Sequence, residues 1–88
     1  MINYRLDSDL ISDNAKLMKK KIIDLMKEND DIILDLETID YIDSIGLGML
    51  VSLYKESLNR NISLKIKNPS DNVKKLFRIT ALDELFLD

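Results

Sequence analysis

Apolar residues in this chain recur with two periods, and the switches between them outline its elements. Ile2, Tyr4 and Leu6 alternate with Asn3 and Arg5, the two-residue period of a half-buried strand. From Ala15 the period lengthens. Ala15, Met18, Ile22, Leu25 and Met26 recur at three and four residues as one helical stripe, with Lys16, Lys19, Lys20 and Lys27 mostly on the other side. Ser12 or Asp13 stands where a cap is expected, and Asn29 where a left-handed residue would stop the helix. The run Ile32-Ile33-Leu34-Asp35-Leu36 is apolar on nearly both faces, as in the central strand of a helix-covered parallel sheet. Asp35 interrupts it, and must lie at a strand end or be hydrogen-bonded, because an unpaired buried carboxylate is too costly. Leu47, Leu50, Val51, Tyr54 and Leu58 form a second helical stripe, closed by Asn59-Arg60-Asn61.

Ile62, Leu64 and Ile66 then alternate with Ser63, Lys65 and Lys67 as another strand with one polar face. Asn68-Pro69-Ser70 turns into a helix that tolerates proline at its first position, with Val73, Leu76, Phe77 and Ile79 on its buried side. Ala81 to Leu87 is apolar enough to pack as a short final helix. Strands alternating with helices predict an α/β sheet built from crossover units. At 88 residues the expectation is one domain over 1–88, with a real but small core.

Composition narrows the chemistry. Thirteen basic against 16 acidic residues leave a net charge of -3, which argues against a reader of nucleic-acid backbone. The Lys19-Lys20-Lys21 run reads as a solvated helix face, and the methionines as core filler. Cysteine is absent, so no disulfide framework, thiolate metal site or thiol nucleophile is available; histidine is absent too, removing the commonest general base and metal ligand. Asp7-Ser8-Asp9 resembles the start of a calcium loop but lacks its third ligand and glycine, and reads as a solvated turn. Asp35, Glu37, Asp40 and Asp43 are spaced like a magnesium or phospho-aspartate cluster, but the chain is short for a receiver domain and lacks its lysine. No apolar run approaches the ~20 residues that span a bilayer, and no secretory signal is visible, so the cytoplasm is the expected location.

The stretch with chemical promise is Asp43-Ser44-Ile45-Gly46-Leu47-Gly48-Met49, which follows a short acidic loop and leads into the second helix. A helix N-terminus carries free amides and partial positive charge, so it tolerates an added phosphate. A phosphate on Ser44 would stand beside Asp43 and spoil a docked protein's fit. Spacing alone favours a plainer reading, in which Ser44 caps the helix and the glycines permit close packing. A hydrolase is excluded, since Ile42 stands where the nucleophile elbow needs glycine and no histidine can act as base. Neither nucleotide-binding glycine loop occurs.

Leu34-Asp35-Leu36, then Tyr41-Ile42, Asp43-Ser44-Ile45-Gly46-Leu47-Gly48 and Tyr54-Lys55, closely resemble the STAS family of sulfate transporter and anti-sigma factor antagonist domains. Val73-Lys74-Lys75-Leu76-Phe77 with Leu82 resembles its C-terminal helix, and Arg5-Leu6 with Asp9-Leu10 its first strand and turn. The resemblance implies a small mixed β-sheet with helices mainly on one face. It implies that Ser44 is a phosphoacceptor and that Asp43, Ser44, Ile45, Gly46, Leu47, Gly48 and Met49 form a partner-binding face. The implied partners are a serine kinase that doubles as an anti-sigma factor, bound only by the unphosphorylated protein, and a PP2C-type phosphatase. No cofactor, metal or catalytic residue is implied, and a homodimer is compatible.

The chain departs from the family in a shortened N-terminal strand region, in Ser8-Asp9-Leu10-Ile11 where Gly-Glu-Leu-Asp is usual, and in Ala81 where glycine is common. The expected function is therefore a non-enzymatic anti-sigma factor antagonist working by partner switching. The alternative is a phosphorylation-independent STAS scaffold, or an accessory module of a stressosome-like or lipid-transport complex.

Overall fold

The computed structural model describes residues 1–26 and 30–87. Its elements run β1 (Ile2–Arg5), α1 (Ser12–Leu25), β2 (Ile32–Asp35), α2 (Ser44–Asn59), β3 (Leu64–Lys67), α3 (Asp71–Ile79) and α4 (Asp83–Phe86). The strands lie in the order β1-β2-β3 and both pairings are parallel. Each crossover carries a helix, as parallel pairing requires. The residue pattern thus named the element order and the central place of β2 correctly. The α/β class holds, while the mixed character implied by the family resemblance is not carried by the strands among the described residues.

Register explains why the helices sit on one side. Ile2, Ile32 and Leu64 stand abreast, as do Tyr4, Leu34 and Ile66, and all six contribute to a single apolar core with the helices. The next positions along the strands give the opposite face: Asn3, Ile33 and Lys65, then Arg5, Asp35 and Lys67. That face stays outside the core. Asp35 meets both expectations made for it, ending β2 and accepting from the Glu37 N–H at 3.0 Å and from the Asn68 amide at 3.4 Å. These bonds, the Glu37 amide first, together with the charges of Lys67 and Arg5, hold its carboxyl below the ordinary aspartate range against a smaller opposing effect of burial.

Helix faces follow the predicted stripes with corrections. In α1, Ala15, Met18 and Ile22 are buried, as is Met26 just past its end. The helix starts at Ser12, so its cap position is Ile11; the side chains of Ser12 and Asp13, Lys27, and the stop expected at Asn29 lie outside the described residues. In α2 the buried line is Gly46, Met49, Leu50, Leu53 and Ser57, with Leu47, Val51 and Tyr54 flanking it. Leu58, expected in the stripe, is 58% exposed, because the buried line runs through Ser57 instead. In α3, Val73 and Phe77 are buried, whereas Ile79 is 71% exposed at the helix end. Proline is not the first residue of α3: Ser70 is the cap, accepting from the Val73 N–H at 3.2 Å, and Pro69 precedes it. Phe77, Phe86 and Tyr54 then meet ring to ring, closing α4 over the core.

Candidate regulatory and docking site

Ser44 stands at the carboxyl end of the parallel sheet, where loops following the strands converge. What holds it there begins with Leu10, a fully buried residue between β1 and α1. The Leu10 N–H donates to the Tyr41 carbonyl at 3.2 Å, and its carbonyl accepts from the Asp43 N–H at 3.0 Å, an isolated parallel bridge to Ile42. Asp9 adds to this clasp, its Oδ1 accepting from the N–H groups of Asp40 at 3.0 Å and Tyr41 at 3.3 Å. Asn14 braces the same turn, accepting from the Ile11 N–H at 3.1 Å and donating to the Asp9 carbonyl at 2.7 Å and the Ser8 hydroxyl at 3.1 Å. The Asp7-Ser8-Asp9 segment is therefore not simply a solvated turn. It fastens the loop that leads to Ser44.

The cap of α2 is Asp43, whose Oδ1 accepts from the Gly46 N–H at 2.8 Å. Ser44 is consequently the first helical residue, one place past the cap, rather than the cap itself. It is exposed, and its hydroxyl has no hydrogen-bond partner among the described residues. A cap engaged by its neighbour leaves this hydroxyl at the positive end of a 16-residue helix, open to solvent.

The two glycines do different work. A Cβ on Gly46 would run into the Leu10 carbonyl oxygen and come within 2.8 Å of its carbonyl carbon, so only glycine lets α2 press onto this turn. A Cβ on Gly48 would meet nothing within 4 Å. Of the Asp43–Met49 stretch, Ser44, Ile45 and Gly48 are exposed, Asp43 and Leu47 are half-buried, and Gly46 and Met49 are buried. Ile45 is 57% exposed, so its apolar side chain stands on the surface one residue past Ser44.

Residues outside that stretch also shape the site. A shallow groove of about 240 Å³ runs between α1 and α2 beside Ile45 and Gly48, with Lys16 and Lys19 on its other wall. Tyr41, 59% exposed, borders a second groove toward α3 with Leu76 and Ile79. Sequence reasoning missed Leu10, Asn14 and these lysines as parts of the site. Only the turn-forming pair Ser8-Asp9 offered a local signal. Among the described residues no cluster of side chains could hold a metal ion, and no helix is long and apolar enough to cross a membrane.

A family model described as "STAS domain" matches residues 1–87. The chain is 32% identical over 84 residues to the anti-sigma-B factor antagonist of Bacillus subtilis (strain 168), a match covering 96% of this chain and 75% of that protein. It is 40% identical over 55 residues to the anti-sigma-B factor antagonist of Staphylococcus aureus (strain NCTC 8325 / PS 47), covering 62% of this chain and 51% of that one. Among solved structures, a sulfate transporter family protein from Wolinella succinogenes aligns with a TM-score of 0.82 at 19% identity, covering 96% of this chain and 69% of that one. At that identity the likeness shows the fold alone.

Proposed function

This chain belongs to the STAS domain family, and from that membership and the surroundings of Ser44 we propose that it is an anti-sigma factor antagonist switched by phosphorylation. In this reading the unphosphorylated protein binds an anti-sigma factor that is also a serine kinase, and so frees a sigma factor for transcription. The kinase phosphorylates Ser44, the complex dissociates, and a PP2C-type phosphatase resets the protein. The chain itself catalyses nothing.

The observation that carries the proposal is the exposed, unengaged hydroxyl of Ser44 one residue beyond the Asp43 cap. A phosphate there brings roughly -1.5 to -2 charges beside Asp43. Unit charges ~4 Å apart repel by about 1 kcal/mol in water and about 4 kcal/mol at a surface-like dielectric. A partner that covers the loop takes the pair from the first setting toward the second, and only that increase opposes docking. Since ~1.4 kcal/mol is a decade of affinity, an increase of this order weakens the contact by about tenfold or more. The relatives named anti-sigma-B factor antagonist support the choice of partner class.

Incubation with ATP and the serine-kinase anti-sigma factors of the same cell, followed by phosphosite mapping, tests it. Phosphate on Ser44, tight binding by Ser44→Ala and weak binding by Ser44→Asp are expected. No phosphate on Ser44 and equal binding by both variants would replace this reading with a phosphorylation-independent scaffold.

A further inference from the structure

Gly48 poses a question that the fold does not answer. A glycine inside a helix is unfavourable relative to alanine, and Gly46 has its reason in Leu10, but a side chain at Gly48 would touch nothing in this chain. Gly48 instead forms part of the floor of the α1–α2 groove, with the buried Ala15 and Met49 beneath it. The exposed Ile45 stands at one end of that groove and Ser52 lines it further along. Its α1 wall carries Lys16 and Lys19, and neither is ion-paired among the described residues.

Missing bulk at Gly48 lets another backbone approach α2 closely, as helix–helix crossings over small residues do. An apolar floor with one cationic wall selects an amphipathic helix bearing acidic side chains along one flank. The geometry points to the α1–α2 groove as the seat for such a helix, supplied by the anti-sigma factor, with an apolar side chain over Gly48 and carboxylates facing Lys16 and Lys19. This rests on the proposed antagonist function and deepens it. Ser44 lies one turn before Gly48 on the same side of α2. A phosphate on Ser44 would compete with the partner's carboxylates for the lysine wall as well as repel them.

The test titrates the serine-kinase anti-sigma factor from the same cell with wild type, Gly48→Leu, the Lys16→Glu/Lys19→Glu double variant, and Lys65→Glu on the open sheet face as control. Circular dichroism and thermal unfolding of each verify that it folds. At least a tenfold weaker affinity is expected for Gly48→Leu and for the double variant, with Lys65→Glu unchanged. The wild-type affinity should also fall with added salt, and the double variant's much less. Folded variants that bind like wild type would overturn the groove while leaving the antagonist reading intact. Failure of wild type itself to bind would overturn both. A concentration-dependent dimer abolished by Gly48→Leu, with kinase binding untouched, would give the groove to a second copy and overturn the proposal.

Discussion

Leu10 and Gly46 lie backbone against helix: a Cβ built on Gly46 would sit 2.8 Å from both the carbonyl carbon and the Cβ of Leu10. The same Leu10 bonds to Tyr41 and Asp43, so one buried residue locates the loop, the cap and the first turn carrying Ser44. Gly46→Ala must therefore push α2 away from a rigid backbone. Overpacking of this kind costs typically ~1–3 kcal/mol, against a gain in helix propensity of at most ~1 kcal/mol. Gly48→Ala keeps the gain and meets no obstacle. Urea unfolding should show Gly46→Ala destabilised and Gly48→Ala stabilised by about 0.5–1 kcal/mol, opposite signs for the same change two residues apart.

Asp35 gives the fold a pH dependence. Its folded-state pKa lies below the ordinary 3.8, owing first to the Glu37 N–H and then to Asn68, Lys67 and Arg5. A depressed carboxylate pKa contributes stability that is present above the unfolded value and lost as pH falls through the folded one. Asp35→Asn keeps an acceptor but removes the charge. Wild type should exceed Asp35→Asn in unfolding free energy near pH ~7, and the difference should shrink in acid as pH falls below the unfolded value and through the folded one. A difference that stayed constant across that range would show that packing, not ionisation, distinguishes the variants.

How much of this was legible without coordinates depended on the range of the interaction. Periods of two and of three to four residues are local, and they ordered the strands and helices correctly. The rotation of α2 was misjudged because a stripe through Leu47, Leu50, Val51, Tyr54 and Leu58 and one through Gly46, Met49, Leu50, Leu53 and Ser57 are both helical. The second begins with a residue that has no side chain to advertise burial. The cap was shifted by one place because aspartate and serine, adjacent at 43 and 44, are both good caps. Asp9 reads locally as part of a solvated turn, and its role as a clasp was missed for another reason: its hydrogen-bond partners are 31 and 32 residues away. No local pattern encodes such a contact.

Two helices end in the same way but on residues of unequal tolerance. After α2, Asn61 adopts φ 55°, with the Ile62 N–H reaching the Ser57 carbonyl at 3.0 Å; after α3, Ala81 adopts φ 60°, with the Leu82 N–H reaching Phe77 at 2.8 Å. Both are left-handed C-terminal motifs in which glycine or asparagine is usual. Alanine there crowds its Cβ against the carbonyl, at roughly 1–2 kcal/mol. Ala81→Gly should therefore stabilise by about 1 kcal/mol, and Asn61→Gly by only a few tenths or less, since asparagine already accommodates the conformation. Parallel thermal melts compare the two directly. A destabilising Ala81→Gly would mean that added freedom of the unfolded chain outweighs the relief.

Because Asp43 is the cap and Ser44 follows it, fold and switch should separate by mutation. Asp43→Ala leaves the Gly46 N–H without its acceptor and should cost about 1 kcal/mol, whereas Asp43→Asn retains the cap and should be nearly neutral. Ser44→Ala and Ser44→Asp alter an exposed side chain with no partner among the described residues, so each should stay within ~0.5 kcal/mol of wild type in unfolding free energy. Affinity for the kinase partner should divide them sharply. Ser44→Ala is expected to bind like the unphosphorylated protein, and Ser44→Asp at least ~10-fold more weakly, a loss of ~1.4 kcal/mol in binding with no matching loss in folding. In the Asp43→Asn background one of the two repelling charges is gone, so the penalty of Ser44→Asp should become smaller. Calorimetric titration of the four single variants and the double variant measures that coupling. An unchanged penalty in the double variant would mean that the added charge acts on the partner alone and not through Asp43.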